Sequence, residues 1–203
     1  MNAWVIESEL VLLLSKILQR PLKASEIEPS LVFITTLVTI LRGVIVMDKV
    51  VAIAEEEKLL ETLDSFIGSD LTLKTLSSEV LSGVEQQQTF LDPNAIVTLS
   101  EPLNSATKLL LIGLGYSMSA ADGKVDFRER MYLQSIASRL QVDRQHLSLL
   151  EACFIEPETL SPDTLKQALL LLDPYRLAVL DTVIVQAARY LYQTICDLQS
   201  NRP

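Results

Sequence analysis

The chain has 203 residues, 49% of them hydrophobic but only 5% aromatic, with six glycines and eight prolines. Its formal net charge of -9 repels phosphate backbones, which argues against DNA or RNA and against a polybasic membrane patch, and suits cations or basic proteins. A lone histidine, His146, rules out a histidine-based metal cage.

No basic region precedes the apolar stretch at the N-terminus, where Glu7 and Glu9 intervene, so no secretory leader is expected. A first helix is expected over Ala3–Gln19, with Val5, Leu10, Leu13, Leu14, Ile17 and Leu18 on one face and Pro21 ending it. A connector, Arg20–Pro29, leads to a second helix from Ser30 to Met47. The apolar run within it, Leu31–Val46, is shorter than the ~20 residues a bilayer needs and holds Thr35, Thr36, Thr39 and Arg42, so it reads as a core helix. The mean hydropathy of +0.30 still leaves room for peripheral membrane association. A third helix is expected over Ala52–Ile67, stopped by Gly68, and a shorter one over Asp70–Leu81.

Residues Ser82–Pro102 lack clear periodicity and carry Asp92-Pro93 and Glu101-Pro102. They read as a long connection and a seam between two halves. The second half is expected to run as helices over Leu103–Ala121, Asp126–Leu140 and Asp143–Phe154. A loop bracketed by Pro157 and Pro162 follows, then a helix capped by Ser161 and ending at Leu172, and a last helix from Pro174 to Gln199. The pattern predicts an all-α chain: a single helical domain over 1–203, a bundle of about eight or nine helices. Cys153 and Cys196 fall on helices in apolar surroundings and read as buried free thiols. Gly113-Leu114-Gly115 falls within a helical pattern and reads as close helix packing.

One feature repeats. Asp48 and Asp122 each end an apolar helix, and after six intervening residues Glu55 and Glu129 each open the next one. Leu59 and Phe66 then match Leu133 and Leu140, so the pseudo-repeats span about 31–81 and 103–154. Each Glu heads its helix's apolar stripe, where an ionised carboxylate must be paired, hydrogen-bonded or coordinated. Two readings stay open. Asp126 and Glu129 fit a capping box, a purely structural role, although Ala52 at the matching position cannot cap. Alternatively, Asp48, Glu55, Asp122 and Glu129 converge and hold a divalent cation such as Ca, Mg or Mn, hard ions that take oxygen ligands. The spacing is too short for an EF-hand loop. Acid–base catalysis by paired carboxylates lacks any supporting cleft residue, and no enzymatic activity is expected.

Ser119-Ala120-Ala121-Asp122-Gly123-Lys124-Val125-Asp126-Phe127-Arg128-Glu129, with Leu133, Ile136, Ala137 and Leu140 after it, resembles the TerB-like, tellurite-resistance-associated helical domains. The likeness covers Leu109–Phe154 well. It is weaker over Leu31–Leu81, where Lys49 stands for the expected glycine, and the last helices carry no Asp-Gly. The resemblance implies a cytoplasmic, stress-associated interaction module near the membrane. It also implies metal binding through Asp122 and Glu129 first, then Asp48 and Glu55, and an unspecified protein partner.

Overall fold

The computed structural model describes residues 6–47, 53–120, 125–173 and 181–200. These form only helices and turns: α1 (Ser8–Ile17), α2 (Pro29–Met47), α3 (Ile53–Ile67), α4 (Leu71–Gln87), α5 (Pro93–Ser100), α6 (Ser105–Ser119), α7 (Phe127–Arg139), α8 (Arg144–Ile155), α9 (Pro162–Leu171) and α10 (Thr182–Ser200). The all-α expectation therefore holds, with ten α-helices among the described residues.

Two helices make the centre. In α2 every residue from Ser30 to Ile45 is buried. A helix apolar on all sides has no solvent face to offer, so it takes the middle of the bundle. Its most apolar window has a mean hydropathy of 2.1, enough in composition and length to cross a bilayer, but 89% of that window is covered by the rest of the chain. The hydroxyls of Thr35, Thr36 and Thr39 donate to the carbonyls of Leu31, Val32 and Thr35 at 2.7–2.8 Å, which lets them sit in a dry core. Arg42, also buried, reaches Glu85 on α4. Against α2 lies α6, buried continuously from Leu109 to Ser119.

The other helices pack around this pair: α4, α5 and α7 on α2; α7, α8 and α10 on α6; α1 across α4 and α5; α9 on α8; α3 on α10. One hydrophobic cluster runs through them from Leu10 to Ile195. Small residues set the close approaches. A Cβ at Gly113 would come 2.5 Å from Leu191 and 3.0 Å from Leu150, and one at Gly115 would come 2.5 Å from Leu133. Close helix packing is thus the role of the Gly113–Gly115 pair.

Half of the ten described helices are capped at their starts by carboxylates. Asp70, Asp92, Asp126, Asp143 and Asp181 each accept backbone N–H groups of the first turn, as do Asn104 and Ser161. Such caps satisfy donors that the helix itself leaves unpaired. Four of the described stops are made by left-handed residues. Gly68 (φ 65) closes α3 as expected, whereas Gln19 (φ 53), Gln88 (φ 50) and Gln141 (φ 58) do the same work without being glycine.

Several expectations need correction. The stretch 82–102 is not a long connection. α4 continues to Gln87, and Asp92-Pro93 is an N-cap followed by proline in the first helical turn, opening α5. Ile96 and Leu99 of α5 are buried against the α2 side of the core, so no seam runs here. α1 begins at Ser8, because Glu7 is extended. The last helix begins at Thr182, where Asp181 supplies the cap; Pro174 to Leu180 lie outside the described residues. Cys153 is buried, but Cys196 is only half-buried.

Candidate functional site

The acidic turn between α6 and α7 is described from its two flanks. On one flank, α6 ends with Ser119 buried, its Oγ without a hydrogen bond among the described residues, and Ala120 as the C-cap. On the other, Asp126 caps α7: its Oδ1 accepts the Arg128 N–H at 2.7 Å, while Glu129 Oε2 accepts the Asp126 N–H at 3.2 Å. This is a reciprocal capping box. Glu129 is only 8% exposed and heads a stripe in which Leu133, Ile136 and Leu140 are all buried, the face assigned from the sequence.

Of the other three predicted ligands, Asp48 and Asp122 lie outside the described residues. Glu55 is placed in the backbone of α3, but its side chain is likewise outside. The stripe below it, Leu59, Thr62 and Phe66, is buried like its counterpart on α7. Among the described residues no three His, Cys, Asp or Glu side chains cluster as ligands. Of the ligands expected at the second turn, Glu129 is the one described, and one of its oxygens accepts the capping N–H of Asp126.

A second polar constellation was not anticipated from the sequence. Glu151 on α8 is 9% exposed. Its Oε1 accepts from Arg130 Nε at 2.5 Å and from Gln134 Nε2 at 2.8 Å, both on α7. Tyr116 on α6 is fully buried, stacked on Phe154 with ring centroids 6.3 Å apart. Burial, and then the nearby Glu151 charge, push its phenol pKa well above the usual tyrosine range. A cleft of about 490 Å³ opens beside this network, lined by Arg130, Glu151, Ile155, Glu156, Thr159 and Ser161 among others. The sequence signal was faint: Arg130 and Gln134 share an α7 face, but Glu151 is 21 positions away from Arg130 and on another helix.

No family model, no curated protein and no solved structure matches the chain.

His146 is exposed on the first turn of α8. Burial pushes the Cys153 thiol up to about 11, which leaves it protonated near neutrality, the opposite of an activated nucleophile.

Proposed function

We propose that the chain is a non-enzymatic, TerB-like helical module that works by presenting surfaces to a protein partner, its acidic turns shaping and pinning the helices. The capping box of Asp126 and Glu129 carries this reading. In the one acidic turn whose flank is described, both carboxylates are engaged by backbone N–H groups. The same use of aspartate recurs at Asp70, Asp92, Asp143 and Asp181. The net charge of -9 favours a basic partner and a cytoplasmic, stress-associated setting is the one that fits the resemblance.

A second reading keeps a divalent cation on Asp122 and Glu129, helped by Asp48 and Glu55. The observation in its favour is the burial of Glu129 at the head of an apolar stripe, where a charge gains from coordination. Thermal unfolding separates the two. Chelated protein is melted with and without millimolar Ca²⁺, Mg²⁺ or Mn²⁺, beside Asp122→Asn/Glu129→Gln. An ion bound only by the native state raises the melting temperature by linkage. The structural reading expects no ion-specific rise. A saturable rise that the double variant loses would replace it with the cation reading.

A further inference from the structure

Away from the acidic turns, the cleft beside Glu151 is bounded by α7, the C-terminal end of α8, the 3-10 turn Pro157–Thr159 and the start of α9. Its volume of about 490 Å³ is within the range of small-ligand sites. Ser148, Ser161 and Thr164 bring hydroxyls to it, and Arg130, Glu151 and Glu156 bring charges.

Glu151 is the group this cleft leaves incomplete. It is only 9% exposed, yet both of its donors, Arg130 Nε at 2.5 Å and Gln134 Nε2 at 2.8 Å, go to Oε1. Oε2 receives no hydrogen bond among the described residues, and the neighbouring Tyr116 phenol makes none either. A carboxylate buried to that degree is stabilised by a charged donor on its second oxygen.

The surroundings set the sign of that donor. Arg130 matches one of the two carboxylates, so the described lining is left negative. The end of α8 adds to this. Pro157, four residues on from Cys153, has no N–H to give that carbonyl, and the last turn of α8 holds no basic residue. The negative end of the helix dipole there favours a cation. The opposing N-terminus of α9 is already met by the Ser161 cap and by Asp163 in its first turn. An anion in the cleft would face Glu151 and Glu156 together, whereas a cation with several N–H donors finds acceptors on both and on the hydroxyls around them.

We propose that this cleft receives the ammonium or guanidinium head of a lysine or arginine side chain presented by a basic partner protein. The source of the cation rests on the partner reading above; the preference of the cleft for a cation does not.

Backbone-amide NMR shifts of the full chain, titrated into the millimolar range with Nα-acetyl-argininamide or Nα-acetyl-lysinamide, test it. Saturable shifts are expected within residues 148–164. Glu151→Gln keeps an oxygen for Arg130 and Gln134 but removes the charge, and Glu156→Gln lies at an exposed position. Each is expected to weaken binding at least fivefold. Glu158→Gln, on the same turn but outside the lining, is expected to leave it unchanged. Far-UV circular dichroism and melting temperature confirm that each variant is folded. Equal weakening by all three variants would show a response to overall charge and overturn the site. Absence of saturable shifts with both amides overturns it too, as do shifts on these residues with inorganic phosphate in their place. Spermidine bound here while both amides fail would overturn the partner side chain as the source. The partner reading itself would survive such a loss on another surface, because its own failure is read separately, as the ion-specific rise in melting temperature.

Discussion

The phenol of Tyr132 on α7 occupies the space that a side chain on Gly43 of α2 would fill: an added Cβ would overlap its Oη and Cζ and come 2.9 Å from Cε1. The next residue, Leu133, presses in the same way on Gly115 of α6. Two consecutive side chains of α7 thus seat it on both central helices. Gly43→Ala is expected to destabilise the protein by about 1–3 kcal/mol, the usual cost of overpacking. Urea unfolding measures it. The cost should shrink in a Tyr132→Ala background, because the two changes share one site; strict additivity would sink this account.

The same phenol is buried with no hydrogen-bond partner among the described residues. A buried polar group left unsatisfied costs ~1–3 kcal/mol. Tyr132→Phe, which keeps the ring, is therefore expected to be neutral or stabilising, and a clear loss of stability in urea would show that the hydroxyl is bonded after all.

Alkaline pH should unfold the protein by a defined route. Burial raises the Cys153 thiol from 9.0 to about 11, and raises the Tyr132 and Tyr116 phenols above their usual 10.0. These groups lose their protons more readily in the unfolded chain, so stability is full below pH 9 and declines as pH climbs through the unfolded values. Cys153→Ala should remove the part of the decline that starts near 9, and Tyr132→Phe part of that starting near 10. Melting temperatures measured from pH 7 to 11 read this directly. In the same range a thiol reagent should modify Cys196 well before Cys153; equal rates would contradict the burial of Cys153.

Gln141 closes α7 in a left-handed conformation, φ 58. Its N–H donates to Ser138 O at 3.2 Å, and Val142 N–H donates to Ala137 O at 3.0 Å, the paired bonds of a Schellman stop. A side chain in that conformation costs roughly 1–2 kcal/mol. Gln141→Gly is expected to stabilise by about 0.5–1 kcal/mol, with chemical denaturation as the check. No gain would mean that the glutamine side chain offsets its own strain.

Removing the α7 cap should cost more than its exposure suggests. Asp126→Ala deletes one half of a reciprocal pair and is expected to lose ~0.5–2 kcal/mol. Glu129→Ala also leaves the Asp126 N–H without its acceptor. Urea midpoints of the two single variants and the double one should be non-additive. Independent effects would show that the box does not act as a unit.

What the sequence made legible was local. All-round apolarity announced α2 as the core, Gly68 and Ser161 announced a stop and a start, and the stripe under Glu129 showed which way that carboxylate faces. What stayed hidden had either two local meanings or a distant partner. Asp92-Pro93 reads equally as a turn or as the first two positions of a helix, and only the burial of Ile96 and Leu99 against other elements decides for α5. Gln19, Gln88 and Gln141 carry no compositional mark of a left-handed stop. The Arg130–Glu151 pair joins two helices whose crossing no periodicity specifies. At the second acidic turn, the capping box of Asp126 and Glu129 was legible from its spacing alone.

The position of α2 has a consequence for the making of the protein. It lies early in the chain, yet α4, α5, α6 and α7, which cover it, are all synthesised later, the last ending at Arg139. At ribosomal rates of ~5–20 residues per second, its cover is incomplete for roughly 5–20 s. During that interval the nascent chain displays 19 residues that look, in length and hydropathy, like a membrane span. Released chains truncated at Gly68 should therefore be held by chaperones or membrane-targeting factors that select apolar helices, and released chains extended past Ile155 should escape them.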